Sequence, residues 1–182
     1  AALIVAMLRG LLEKQRRSAG DPGAFLRGLN QGLCSILNRA DATMFATAFY
    51  AVIDLEKGEL RTACAGHPSA FLVKTDGIHQ LNHEAADRGP GLGIMPKADF
   101  PTTVQKTRGC RRLLMFTDGI LEAENQKGEP FFENRLREIV VQRRSEPLEE
   151  MLDGIVSTVL DYANGHHFDD DVCLLGAEWK RV

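Results

Sequence analysis

The sequence predicts an α+β domain: a mostly antiparallel sheet, or two such sheets, flanked by helices. Three observations carry this. Two helical patterns come first, then a meander of strand-like segments, then two more helical patterns and one returning strand, an order that does not alternate β with α. The 182 residues suffice for one domain with a sizeable core, which at this size buries roughly 70% of the unfolded chain's surface. No internal repeat, low-complexity stretch or domain boundary interrupts residues 1–182, so they read as a single domain.

The first element is a helix over Ala1–Arg17, with apolar residues at Leu3, Ile4, Met7, Leu8, Leu11 and Leu12. The pattern begins at residue 1 without an N-cap or an initiator Met, so the chain is expected to be the later part of a longer protein. With its preceding strands elsewhere, this helix would be over-exposed and could drive homodimerisation. Ser18–Pro22 breaks the pattern; Asp21 is a good N-cap with Pro22 at the first helical position of a helix to about Leu37.

Met44–Asp54 is rich in aromatic and β-branched residues and apolar on both alternating faces, which predicts a strand covered on both sides. A turn at Glu56–Glu59 leads into Leu60–Ala65. Gly66-His67-Pro68 interrupts that strand and Phe71–Lys74 resumes it. Asp76-Gly77 signals a hairpin into Ile78–Leu81. Residues 82–100 are polar, then rich in Gly and Pro, and read as a long loop. Strands follow near Thr102–Thr107 and Arg112–Phe116, with a turn at Arg108-Gly109. Helices are predicted over Phe132–Arg143 and Leu148–Ala163. The second carries a regular stripe of Leu148, Met151, Leu152, Ile155, Val156, Val159 and Leu160, which is a core face. The last strand is Val172–Trp179.

A net charge of −3 gives no electrostatic case for nucleic acid. No apolar run is long enough to cross a bilayer and no signal peptide stands at the start, so the expected location is the cytoplasm. Cys34, Cys64, Cys110 and Cys173 are widely spaced without a CxxC, which argues against a disulfide framework or a zinc site and for small core residues. There is no GxxxxGK[ST] loop and no GxSxG elbow. Gly89-Pro-Gly-Leu-Gly93 is not followed by a helix pattern, so it makes a poor phosphate cradle. His67 and Ser69 have no orienting acid nearby and suit a structural or rim role.

The chemistry is concentrated in two segments. Leu113–Asn125 runs an apolar strand straight into Asp118-Gly119, and Gly119 would let the backbone turn sharply there. Asn164–Gly176 places Asp169, Asp170 and Asp171 immediately before an apolar strand. Two carboxylates about 4 Å apart repel by roughly 4 kcal/mol at an effective dielectric near 20, so they splay into water or meet a cation. If the two strands are antiparallel neighbours, the exit of one lies beside the entrance of the other. Asp118 and Asp170 would then form a cluster of hard oxygen ligands suited to Mg²⁺ or Mn²⁺. The alternatives are an ordinary Asp-Gly turn and a solvated acidic loop. His166 and His167 read as exposed loop residues, since no third ligand accompanies them at zinc-like spacing.

Four co-linear segments carry a resemblance: FATAFYAVIDLEKGELRTACAGHPSAFLV, then GPGLGI with PKADF, then LLMFTDGILEAENQKGEPF, then DDDVCLL. They resemble the SpoIIE/RsbU type of metal-dependent serine/threonine phosphatase, a bacterial branch of the protein phosphatase 2C-like fold. The resemblance implies two packed antiparallel sheets with helices outside, an αββα sandwich. It implies two Mg²⁺ or Mn²⁺ ions and hydrolysis of phosphoserine or phosphothreonine by metal-activated water, without a phosphoenzyme. Asp118 falls on the family's Asp-Gly ligand position and Asp170 on its late Asp. Asp171 and Gly119 would be supporting neighbours. Cys173 stands where the family usually carries Thr. Two further acidic motifs of the family lie upstream of the segment that AALIVAM resembles. This piece would therefore hold half of a binuclear site, with weak metal binding and little hydrolysis by itself. The resemblance further implies an output domain of a sensor or response-regulator protein in sigma-factor regulation. Its partner would be a phosphorylated anti-sigma-factor antagonist of the STAS type. The competing expectation is a phosphatase-like adaptor that binds a sigma-factor regulator without chemistry.

Overall fold

The computed structural model describes residues 2–40, 44–81, 84–164, 168 and 170–179. These form two compact units, one built from Ala1–His67 with Asn82–Thr107 and the other from Pro68–Leu81 with Arg108–Arg181. Each holds one four-stranded sheet, and both sheets are mainly antiparallel, as the α+β reading requires.

In the first unit, helix α1 (Ala2–Lys14) is followed by a short 3-10 turn at Arg16–Ser18 and helix α2 (Pro22–Ala40). Asp21 caps α2: its Oδ1 accepts from the Ala24 N–H at 3.2 Å and from the Thr102 hydroxyl at 2.8 Å. Both bonds favour the carboxylate, and the Thr102 hydroxyl foremost holds the Asp21 carboxyl below its ordinary range. Helix α2 then buries Phe25, Leu26, Leu29, Leu33 and Leu37 along one face, against Ala63 and Ala65 of the sheet. The α1 pattern is only partly used. Leu11 is buried and Ile4, Met7 and Leu8 pack against the same core, but Leu3 and Leu12 are exposed.

The sheet of this unit pairs β1 (Ala48–Asp54) with β2 (Glu59–Ala65). Strand β2 is flanked further by β5 (Arg88–Gly89), in parallel, and by β6 (Thr103–Lys106), antiparallel. Strand β1 starts at Ala48 rather than Met44. Every one of its residues is half-buried, not covered on both sides, and among the described residues its ladder is with β2 alone. Tyr50 is its anchor, stacked on Phe25 at 4.1 Å and donating its hydroxyl to the Ala19 carbonyl at 3.1 Å. The segment predicted as a long loop supplies β5 and a bridge between Ala46 and Leu92.

Phe71–Lys74 does not resume β2. It is strand β3 of the second sheet. The chain leaves β2 at Gly66, whose φ of +63° is left-handed and whose N–H donates to the Gly89 carbonyl at 2.9 Å. Strand β3 forms a hairpin with β4 (Gly77–Gln80), and β7 (Cys110–Phe116) lies between β3 and β8 (Leu174–Glu178), all antiparallel, in the order β4-β3-β7-β8. After β7 come the short helix α3 (Asp118–Leu121), α4 (Phe132–Arg143) and α5 (Leu148–Tyr162). Phe71, Leu114, Phe116, Ile120, Phe131, Leu136 and Val140 are buried together with Met151, Ile155 and Val159 of α5. These last three form a single i, i+4 row. Leu160, one position off that row, is exposed, so the core face of α5 is narrower than the sequence stripe.

Cys34, Cys64 and Cys110 are buried core residues, and burial pushes their thiols up. Cys173 is exposed, because it stands at the mouth of β8 rather than within the sheet. No described helix is long and apolar enough to cross a membrane.

Candidate metal centre

The site is built where β7 ends and β8 begins, within the second unit. The antiparallel register pairs Phe116 with Leu174, so the exit of one strand lies beside the entrance of the other. Thr117 extends this contact beyond the ladder. Its N–H donates to the Cys173 carbonyl at 3.0 Å. Its hydroxyl donates to the Asp171 carbonyl at 3.0 Å and accepts from the Cys173 N–H at 2.8 Å. One side chain thus clamps two backbone groups of the opposite segment. Asp118 follows the clamp residue directly, and Asp170 precedes the clamped Asp171.

Asp118, Asp170 and Asp171 are all exposed. The Asp170 Oδ1 accepts from the Asp171 N–H at 2.7 Å, which fixes the acidic segment locally. Asp118 opens α3, whose turn is closed by the Glu122 N–H donating to the Asp118 carbonyl at 2.9 Å. Asp169, His166 and His167 lie outside the described residues. Among the described residues no group of three or more His, Cys, Asp or Glu side chains is arranged to hold a metal ion. The donors at the clamp are carboxylate and carbonyl oxygens, the hard set that Mg²⁺ and Mn²⁺ take.

Gly119 serves a different purpose from the one its type suggests. It lies inside α3, and its φ is not left-handed. What excludes a side chain is the close approach of the acidic segment: a Cβ there would stand 2.8 Å from the Asp171 carbonyl oxygen and 3.2 Å from both the Asp171 carbonyl carbon and Val172 Cγ2. A Gly to Ala change in a helix ordinarily stabilises by about 1 kcal/mol. Gly119→Ala is expected to reverse that sign and cost about 1–3 kcal/mol in urea denaturation, because backbone must move to admit the methyl. A stabilised variant would contradict this packing.

Thr117 is the residue that sequence reasoning missed. A threonine before Asp-Gly gives no signal until the register of β7 on β8 is known.

A model of the family described as stage II sporulation protein E (SpoIIE) matches residues 1–180. The chain belongs to the SpoIIE family. Among curated proteins it is similar to protein IcfG of Synechocystis sp. (strain ATCC 27184 / PCC 6803 / Kazusa), 32% identical over 135 residues that make up 74% of this chain and 21% of IcfG. Phosphoserine phosphatase RsbP of Bacillus subtilis (strain 168) is 24% identical over 181 residues, 99% of this chain and 42% of RsbP. Phosphoserine phosphatase RsbU of the same organism is 26% identical over 171 residues, 93% of this chain and 49% of RsbU. The chain therefore spans less than half the length of each of these relatives. Among solved structures, the SiaA-PP2C domain of Pseudomonas aeruginosa superposes with a TM-score of 0.83 at 21% identity, over 98% of this chain and 70% of that one. The SpoIIE chain thus has the PP2C-type fold.

Proposed function

We propose that these 182 residues are the later part of a phosphatase domain that hydrolyses phosphoserine or phosphothreonine on a protein, using Mg²⁺ or Mn²⁺ held in part by Asp118 and Asp170. The observation that carries this reading is the Thr117 clamp, which ties the strand leading to Asp118 to the segment that follows Asp170. Membership of a family whose relatives include two phosphoserine phosphatases supports the reaction class. Asp118 and Asp170 would each present a carboxylate oxygen. Asp171 would act through its main chain, which Thr117 and Gly119 hold in place. The remaining ligands would come from upstream residues of the intact protein, so this chain alone would bind metal weakly.

The bound ions would supply a hydroxide nucleophile at neutral pH and screen the charge of the phosphoryl group. The residues of this chain would position the ions and leave the site open to a protein substrate, as the exposure of all three aspartates permits. The substrate in this reading is a phosphorylated anti-sigma-factor antagonist of the STAS type, and the domain is the cytoplasmic output of a sensor or receiver. Phosphate release from a phosphoserine protein by the intact parent, measured with Mn²⁺ and then with a chelator, tests the proposal. Release that needs the metal is expected. Specific binding of a sigma-factor regulator without release would favour an adaptor instead.

A further inference from the structure

The second unit also carries a cationic pocket far from the acidic site. It has a volume of about 190 Å³ and is lined by Lys74, Thr75, Arg111, Arg112, Arg144 and Ser145. It lies at the beginning of β7, roughly 20 Å along the strand from Asp118 at about 3.4 Å per residue. Neighbouring residues of a regular strand point to opposite faces, so Arg111 and Arg112 would not ordinarily share a pocket. A bulge brings them together. Val73 pairs with Arg112 and Lys74 with Cys110, which leaves Arg111 as the extra residue. Bulges of this kind re-aim a side chain and bend the strand locally.

Two of the three arginines are held by the fold. Arg112 is 7% exposed; its Nε donates to Glu178 at 2.7 Å and its Nη1 to the Arg144 carbonyl at 3.3 Å. The Arg144 Nε donates to the Thr75 carbonyl at 3.4 Å. Glu146 is taken by Arg143 at 2.9 Å and does not offset the pocket. Counting Glu178 and the Asp76 of the adjoining turn, four cations face two acids. Lys74 and Arg111 make no ion pair with any described residue, and the exposed Thr75 and Ser145 complete the lining. Concentrated positive charge with hydroxyl donors in a cavity of this size matches a compact polyanion.

We propose that this pocket is a second, non-catalytic site that binds the phosphate group of a small soluble molecule. It takes either inorganic phosphate or the phosphate tail of a nucleotide, and it does so without a metal ion. Calorimetric titration of the chain in chelator, at fixed ionic strength, tests this with inorganic phosphate and with a nucleoside triphosphate. One saturable site is expected. Equal affinity for the two anions assigns the phosphate group alone, and tighter nucleotide binding assigns the nucleotide; both support the site. The double variant Lys74→Gln with Arg111→Gln is expected to weaken binding at least about tenfold, since it removes two charge-assisted donors. Ser145→Asp, at an exposed position, should weaken it as much by placing a carboxylate at the rim. Undiminished binding in a folded variant of either kind, no saturable binding by the unaltered chain, or equal displacement by chloride at matched ionic strength would overturn the proposal.

Discussion

Asp118→Asn in the intact parent is expected to lower Mn²⁺-dependent phosphate release on the order of 100-fold. An amide oxygen carries no charge and replaces a hard anionic donor, and even groups that only support a ligand are worth about 10–100-fold in metal affinity or activity. The fold should be untouched. Asp118 is exposed, and the closing bond of α3 uses its carbonyl rather than its side chain. Stability within about 0.5 kcal/mol of the unaltered protein is therefore expected by thermal denaturation. Asp170→Asn should act in the same direction. Asp171→Asn should act less, because the contact it makes with Thr117 is through the main chain. A parent whose metal-dependent rate survives Asp118→Asn would remove this residue from the chemistry and leave the adaptor as the better account.

Phe71→Ala is expected to have the largest effect on stability, about 3–5 kcal/mol in denaturant unfolding. Phe71 is fully buried in β3, and its ring meets that of Phe116 at 5.0 Å in a tilted pair. Truncation leaves a cavity against β7 and forfeits the ring contact, itself worth roughly 0.5–1.5 kcal/mol. A typical domain has only about 5–15 kcal/mol in all, so much of the reserve would go. The loss falls on the sheet that carries the acidic site, because β3 is the direct neighbour of β7. A cost below 1 kcal/mol would mean that Phe71 is not the core residue its burial indicates.

The parts of this molecule that were legible in the sequence are those where a local pattern and the tertiary environment agree. Asp21-Pro22 opens α2 because a cap and a fixed φ act locally. The row Met151, Ile155, Val159 is core because it repeats at helical spacing. That the exit of β7 lies beside the entrance of β8 was legible for the same reason: an acid adjoins the end of each apolar segment, and the two strands pair in the expected sense. What was not legible depends on pairings distant in the chain. Nothing local says that the strand after Gly66 joins a different sheet, or that every residue of β1 is half-buried. The Thr117 clamp and the Arg111 bulge exist only once a register is fixed, and Leu160 is exposed because the partner elements accept a narrower face than the helix offers.

In the proposed site Asp118 and Asp170 bind one ion together. Titration of Mn²⁺ into the isotope-labelled chain, followed by paramagnetic broadening of amide signals, decides whether they do. The signals of Asp118, Gly119, Asp170 and Asp171 are expected to broaden first and in step, and Asp118→Asn to abolish the broadening of all four. Broadening of one segment without the other, or of neither, would contradict a shared ion.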